Sequence, residues 1–134
     1  MKLLMIYASH FGYTPTIKTL NFVPEVIGGK TYKDVQVAFI QVEKEDEERV
    51  PIKKFMNFIK WLKRKNDFQT LILHSFGHLS ESKADPEFTL NTLNALQDKL
   101  VNSGFEVYQT PFGYFLDLDI KAPGYSLARV FKSL

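Results

Sequence analysis

The chain lacks cysteine, so its 134 residues can form neither a disulfide nor a thiolate metal site, and no thiol can act as a nucleophile. It also lacks any apolar run near the roughly 20 residues that a membrane span needs. The apolar segment at residues 1–8 is too short for the hydrophobic region of a signal peptide. These absences predict a soluble, cytoplasmic protein without a membrane partner.

A strong charge excess is missing as well. Seventeen basic against fifteen acidic side chains give a formal net charge of +2, which excludes a protein that coats nucleic acid nonspecifically. Hydrophobic residues make up 45% and charged residues 24%, as is typical of a folded globular protein. The length predicts one domain over residues 1–134.

Three common functional motifs are absent. The sequence has no phosphate-binding Gly-x-x-x-x-Gly-Lys loop, no Gly-x-Gly-x-x-Gly dinucleotide fingerprint and no Gly-x-Ser-x-Gly nucleophile elbow. Nucleoside triphosphate chemistry and ordinary serine hydrolysis therefore lack their usual support, and we expect no cofactor.

The apolar patterns predict an α/β or α+β domain with a mixed sheet. The predicted strands are residues 3–8, 35–42, 70–73, 105–108 and 112–120, with a further one at 13–20 inside an irregular region. One long helix begins at Pro51 and a second lies between the N-cap Asp85 and Gly104. A short C-terminal helix is expected from Ser126 to about Ser133.

Two histidines lie at the end of the third predicted strand. His74 and His78 are about 13 Å apart in extended chain at roughly 3.3 Å per residue, too far for one zinc ion, and we expect no metal site. His74 continues an apolar strand and is expected to pack there. His78 follows Gly77 in a loop, where it is either an ordinary surface histidine or a side chain held over a cleft.

Three other groups of residues each allow a structural and a functional interpretation. Asp117 and Asp119 lie about 6.6 Å apart on the same face of a predicted strand. They form either a functional carboxylate pair or part of a solvent-exposed sheet face. The basic residues Lys60 and Lys63–Lys65 suit a helix C-terminus and also suit phosphate contacts. Gly113, between two aromatic residues, marks either a bulge or a close approach of a ligand to the backbone.

The order and spacing of several segments resemble the archaea-type N-terminal editing domain of threonyl-tRNA synthetase. The most specific are Phe-Gly-His-Leu-Ser at residues 76–80 and Pro-Phe-Gly-Tyr at residues 111–114. They are supported by residues 37–44, by residues 104–107 and by Leu-Ala at residues 127–128. The resemblance covers most of the chain and is weakest at residues 11–32.

The resemblance implies a D-aminoacyl-tRNA deacylase-like fold, with two long helices beside a sheet of about five or more strands, and a homodimer. It implies that the chain is the N-terminal part of a longer synthetase and hydrolyses seryl-tRNA(Thr) as a proofreading step. His78 is then the catalytic residue at the reacting ester, and the other expected substrate-binding residues are Val42, Gly77, Pro111, Phe112, Gly113 and Tyr114.

The chain departs from the family pattern at important positions. Leu116 stands where the family usually has a lysine, Arg129 where it has an acidic residue, and residues 122–126 replace a Cys-Lys-Gly-His-Pro segment. Leucine cannot donate a hydrogen bond or stabilise negative charge, so two alternatives stay open. One is a non-catalytic domain that binds the tRNA 3′ end, and the other is a deacylase for another mischarged tRNA. The retained His78 and the Pro111–Tyr114 segment favour the editing hydrolase.

Overall fold

A computed structural model describes all 134 residues as a six-stranded mixed sheet with two helices on one face. The strands are β1 (Lys2–Lys18), β2 (Lys30–Gln41), β3 (Thr70–Ser75), β4 (Glu106–Gln109), β5 (Tyr114–Lys121) and β6 (Arg129–Ser133). The helices are α1 (Ile52–Asn66) and α2 (Pro86–Asn102), and a 3₁₀ turn covers Lys44–Glu47. Neither helix combines the length and apolar character that crossing a membrane requires.

The strand order is β4-β3-β2-β1-β5, with β6 also paired to β1. The β2–β3 and β3–β4 pairs are parallel, because α1 and α2 form the crossover connections that parallel neighbours require. The pairs that β1 forms with β2, β5 and β6 are antiparallel. The mixed sheet expected from the sequence is therefore confirmed.

The first strand is longer and more continuous than expected. Residues 3–8 and 13–20 were predicted as separate strands, but residues 3–8 and 13–18 belong to the single 17-residue strand β1, which ends at Lys18. Pro15 lies within this strand, at an irregularity where the register against β5 shifts between Pro15 and Ile17. A bulge accommodates a residue that has no backbone N–H to donate to the ladder.

The sheet separates two apolar clusters. The helix-face cluster joins α1 and α2 to β1–β3 and includes the fully buried Leu3, Phe55, Ile59, Leu71 and Leu96. The second-face cluster consists of Ala8, Phe11, Tyr13, Val35, Val37, Phe39 and Ile72. Strands covered on both faces are apolar on both faces, which explains the nearly continuous hydrophobic runs in β2 and β3.

The cap predicted for the second helix is confirmed. The Asp85 carboxylate accepts hydrogen bonds from the backbone N–H groups of Glu87 and Phe88, and Pro86 is the first helical residue. Gly104, just beyond the helix, has a φ of +93°, which glycine adopts without the steric cost of a β-carbon. These caps fix where α2 begins and ends.

The predicted C-terminal helix from Ser126 to Ser133 is wrong, because residues 129–133 form β6. Leu127 has a φ of +66°, so the segment turns instead of entering a helix. The strand then pairs with β1 from Lys2 to Ile6, and Val130 packs against the helix-face cluster. Long-range pairing with β1 outweighs the local helix signal.

A group of charged atoms is buried where β2 ends. The Met1 amino group lies 2.8 Å from the Glu43 carboxylate and 3.0 Å from that of Asp46. Burial by itself raises the pKa of Glu43, but hydrogen bonds from the Met1 amine, the Ser80 hydroxyl and Lys2 outweigh it and lower the pKa from 4.5 to about 2. The ionised form of Glu43 is thus favoured in the folded chain.

This shift predicts a defined loss of stability in acid. A carboxylate with a depressed pKa in the folded state stabilises the fold above its unfolded pKa, and this contribution is lost as the pH falls from 4.5 to about 2. We expect Glu43→Gln to lower the free energy of unfolding at pH 7 by up to about 3 kcal/mol. In urea titrations the difference from wild type should shrink below pH 4.5. The exposed Glu81→Gln is the control, and a difference that is constant with pH would contradict the assignment.

Candidate functional site

A cavity of about 680 Å³ opens where the parallel strands β2 and β3 end. Its walls are the loop after β3, the beginning of α2 and the segment that leads into β5. Carboxyl ends of parallel strands are a common place for ligand sites. The structure brings to this cavity all seven residues expected at a site, namely Val42, Gly77, His78, Pro111, Phe112, Gly113 and Tyr114.

The loop that carries His78 is held by the buried side chain of Gln41. The Gln41 Oε1 accepts hydrogen bonds from the backbone N–H groups of Leu79 at 2.6 Å and Ser80 at 2.8 Å. Its Nε2 donates to the carbonyls of Ser80 at 2.8 Å and Ser82 at 2.9 Å. The Ser80 hydroxyl also donates to Glu43 at 2.8 Å. All four hydrogen-bonding positions of the glutamine amide are used on one loop.

The backbone N–H groups of Gly77 and His78 remain free within this fixed loop. The neighbouring Phe76 N–H donates to the Ile40 carbonyl, and those of Leu79 and Ser80 donate to Gln41. Neither Gly77 nor His78 donates its N–H to a protein acceptor. Two consecutive free amides beside a cavity are the kind of donor pair that binds an oxyanion.

A polar pair that cannot carry charge at neutral pH also lines the cavity. His74 is 7% exposed, and its Nδ1 is 2.8 Å from the hydroxyl of Thr110, which is 6% exposed. Burial lowers the pKa of His74 from 6.5 to about 4, so the imidazole is neutral at pH 7. The rings of Phe39 and Phe76 enclose it. His74 belongs to β3 and packs at the strand end, as its apolar context predicts.

The Pro111–Tyr114 segment forms the opposite wall. Phe112 and Gly113 lie in a turn before β5, whereas residues 112–120 were predicted as strand throughout. The Gly113 carbonyl accepts hydrogen bonds from the backbone and the hydroxyl of Thr19. The Tyr114 hydroxyl donates to the Pro24 carbonyl and accepts from the Val26 N–H, each at 2.9 Å. Its phenol oxygen therefore supports the neighbouring loop, while the residue also lines the cavity.

Other residues considered from the sequence lie elsewhere. Asp117 and Asp119 are exposed on β5 outside the cavity, in agreement with the solvated-face reading. Lys60, Lys63 and Arg64 line a separate cavity of about 410 Å³ near Gly104, and Lys65 lines neither. No group of three or more histidine, aspartate or glutamate side chains is arranged to hold a metal ion.

Sequence reasoning missed three side chains at this site: Gln41, Thr110 and Lys83. Of these, only Gln41 could have been found from the sequence. It is a polar residue within the apolar run from Val37 to Val42, and a buried polar side chain needs hydrogen-bond partners. Thr110 and Lys83 lie in connections whose path depends on the assembled fold, so the sequence carries no comparable signal for them.

The architecture defines a D-aminoacyl-tRNA deacylase-like fold. A solved structure of the c-Myc DNA unwinding element binding protein superimposes with a TM-score of 0.71, covering 100% of this chain and 99% of that chain. The two sequences are only 8% identical, so the likeness concerns the fold alone.

Family membership follows from the sequence comparison. The family model of the archaea-specific editing domain of threonyl-tRNA synthetase matches residues 1–134, and the chain belongs to that family. It is 30% identical over 140 residues to the threonine–tRNA ligase of Thermococcus onnurineus and 28% identical over 136 residues to that of Methanoregula boonei. Each match covers 100% of this chain, which spans 22% of the length of these relatives.

The hydrogen bonds of Gln41 predict that it holds the His78 loop. We expect Gln41→Met to speed amide hydrogen exchange at Leu79 and Ser80 and to lower the free energy of unfolding by about 2 kcal/mol, because four bonds are lost at a buried position. The control is Gln36→Met, which removes a buried glutamine that accepts one side-chain bond from Asn66. If the amides of Leu79 and Ser80 exchange at the same rates in both variants, compared under conditions of equal unfolding free energy, Gln41 does not hold the loop.

The two glycines of the cavity should tolerate alanine differently. Gly113 has a φ of +81°, and a β-carbon there would lie 3.0 Å from Val23, so Gly113→Ala should cost about 1–2 kcal/mol of unfolding free energy. A β-carbon at Gly77 would meet Lys83 at 3.5 Å, an ordinary contact, and Gly77→Ala should be nearly neutral. Urea midpoints compare the two directly. An equal loss in both would contradict the role of the left-handed turn at Gly113.

Proposed function

We propose that this domain hydrolyses the ester bond of seryl-tRNA(Thr), as the N-terminal proofreading part of a threonyl-tRNA synthetase. Membership of the editing-domain family supports the class of reaction. The observation that carries the proposal is the single cavity that His78, the free amides of the loop and the Pro111–Tyr114 segment share. A cleft with these parts suits an aminoacylated terminal adenosine, with Val42 beside the adenine and the glycine-spaced segment against the aminoacyl group.

The proposed reaction is the attack of water on the ester carbonyl. The water oxygen bonds to the carbonyl carbon, and the carbonyl oxygen gains negative charge that the N–H groups of Gly77 and His78 stabilise. The carbon–oxygen bond to the ribose then breaks, and the ribose oxygen takes up a proton as serine leaves. The His78 imidazole, or a ribose hydroxyl of the substrate, positions the water.

The need for this reaction is a physical limit of binding. Serine and threonine differ by one methyl group, and a difference of that size gives only about 10- to 200-fold discrimination in a synthetic site. A second, hydrolytic step multiplies the selectivity. A site that removes serine and spares threonine therefore completes what binding alone leaves unfinished.

A second candidate is a domain that binds the tRNA 3′ end without hydrolysis. It is favoured by Leu116, which lines the cavity and packs against the second-face cluster where the family pattern has a lysine. A deacylase for another mischarged tRNA would use the same cavity. All three candidates include tRNA as partner, and the homodimer implied by the family resemblance is part of the proposal.

Deacylation assays separate these candidates. We expect the 134-residue chain to release serine but not threonine from charged tRNA(Thr), and His78→Ala to slow the release by about 100-fold, the usual range for losing a positioned acid–base group. His10→Ala is the matched control, because His10 lies outside the cavity beside Asp119.

Binding without release of either amino acid would favour the non-catalytic module, and a gain of activity in Leu116→Lys would then attribute the loss to that position. Release of another amino acid would favour a different substrate. Wild-type rates in His78→Ala would remove the histidine from the chemistry.

A further inference from the structure

Lys83 is the only lysine, arginine, aspartate or glutamate among the residues that line the cavity. No aspartate or glutamate faces the cavity to neutralise it. The ammonium and its neighbouring carbon approach Gly77 so closely that a β-carbon on that glycine would lie 3.5 Å from each. The charge therefore lies beside the loop that carries the free amides.

The backbone on both sides of Lys83 is fixed. The Ser82 carbonyl accepts from Gln41, and the Ser82 hydroxyl donates to Glu45 and accepts from the backbone of Lys44. On the other side, the Ala84 N–H donates to the Val42 carbonyl. A lysine between two anchored residues projects from a fixed point, although its side chain is exposed and remains extensible.

Four of the acidic residues near this segment have partners other than Lys83, and Asp85 is one of them because its carboxylate caps α2. Glu43 pairs with the Met1 amine and Lys2, Glu45 accepts from Ser82, and Glu47 pairs with Lys44. Lys83 takes part in none of the ion pairs of the chain. A cation without an internal partner at the mouth of an otherwise uncharged cavity is available to an anion on a ligand.

We infer that Lys83 binds the phosphate that joins the terminal adenosine of the tRNA to the preceding nucleotide. This inference rests on the proposed function for the identity of the nucleotide. A permanent phosphate charge suits an exposed, extensible ammonium, whereas a transient oxyanion is best stabilised by rigid donors such as the backbone amides. Lys83 is thus a substrate-binding residue that contributes charge recognition at the rim.

The test compares adenosine 5′-monophosphate with adenosine, which lacks the phosphate. Nuclear magnetic resonance titrations of the 134-residue chain should show that the monophosphate binds about five- to tenfold more tightly at low salt, a screened charge-assisted contact. Lys83→Ala should abolish this preference without changing the affinity for adenosine. Lys83→Arg should keep most of it, and the control Lys54→Ala, an exposed lysine outside both cavities, should keep all of it.

Each other outcome overturns the inference. Equal binding of the two compounds by wild type, binding of neither, or a preference that survives in Lys83→Ala would each show that Lys83 does not recognise phosphate. Seryl-tRNA(Thr) hydrolysis is measured in parallel with the same proteins. If the chain does not hydrolyse the ester but shows the Lys83-dependent preference, the proposed function is wrong and this inference stands. If it hydrolyses the ester without that preference, the proposed function stands and this inference is wrong.

Discussion

The hydrogen bonds at the end of β2 are the constraint on which the cavity depends. Gln41 and Glu43 are buried polar residues, and a buried polar side chain without partners destabilises a fold. Gln41 satisfies its whole amide on the loop after β3, and Glu43 joins the same loop to the Met1 amine through Ser80. One network therefore ties the beginning of β1, the end of β2 and the loop of His78 together.

This network leaves two backbone N–H groups of the loop free to bind a ligand. Gln41 accepts hydrogen bonds from the amides of Leu79 and Ser80 and so anchors the loop in which the N–H groups of Gly77 and His78 have no protein acceptor. Donors that need no reorganisation at the moment of reaction stabilise developing charge best. The same anchoring at Ser82 sets the origin of the Lys83 side chain. Binding at the rim and the chemistry proposed inside thus depend on the same polar contacts.

Features that depend on interactions between residues close in sequence could be predicted, whereas features that depend on long-range pairing could not. The N-cap of α2 could be predicted because Asp85 and Pro86 act within one turn, and the residues at 76–80 and 111–114 could be selected by their motifs. The C-terminal strand could not, because residues 129–133 become a strand only by pairing with β1, more than a hundred residues away. The same holds for the continuity of β1 through Pro15, which depends on a register shift against β5. Lys83 could not be placed in the cavity for the same reason.

The distribution of charge in the cavity bears on the departure at Leu116. The interior wall is neutral: burial lowers the pKa of His74 to about 4, Thr110 is its partner, and Leu116 packs on the second-face cluster. A lysine at position 116 beside that apolar cluster would lose hydration, whereas the ammonium of Lys83 at the mouth keeps it. With no cation at position 116, the proposed stabilisation of a developing oxyanion depends on the backbone N–H groups of the His78 loop. The cavity is therefore consistent with hydrolysis by neutral groups inside and recognition of charge at the rim.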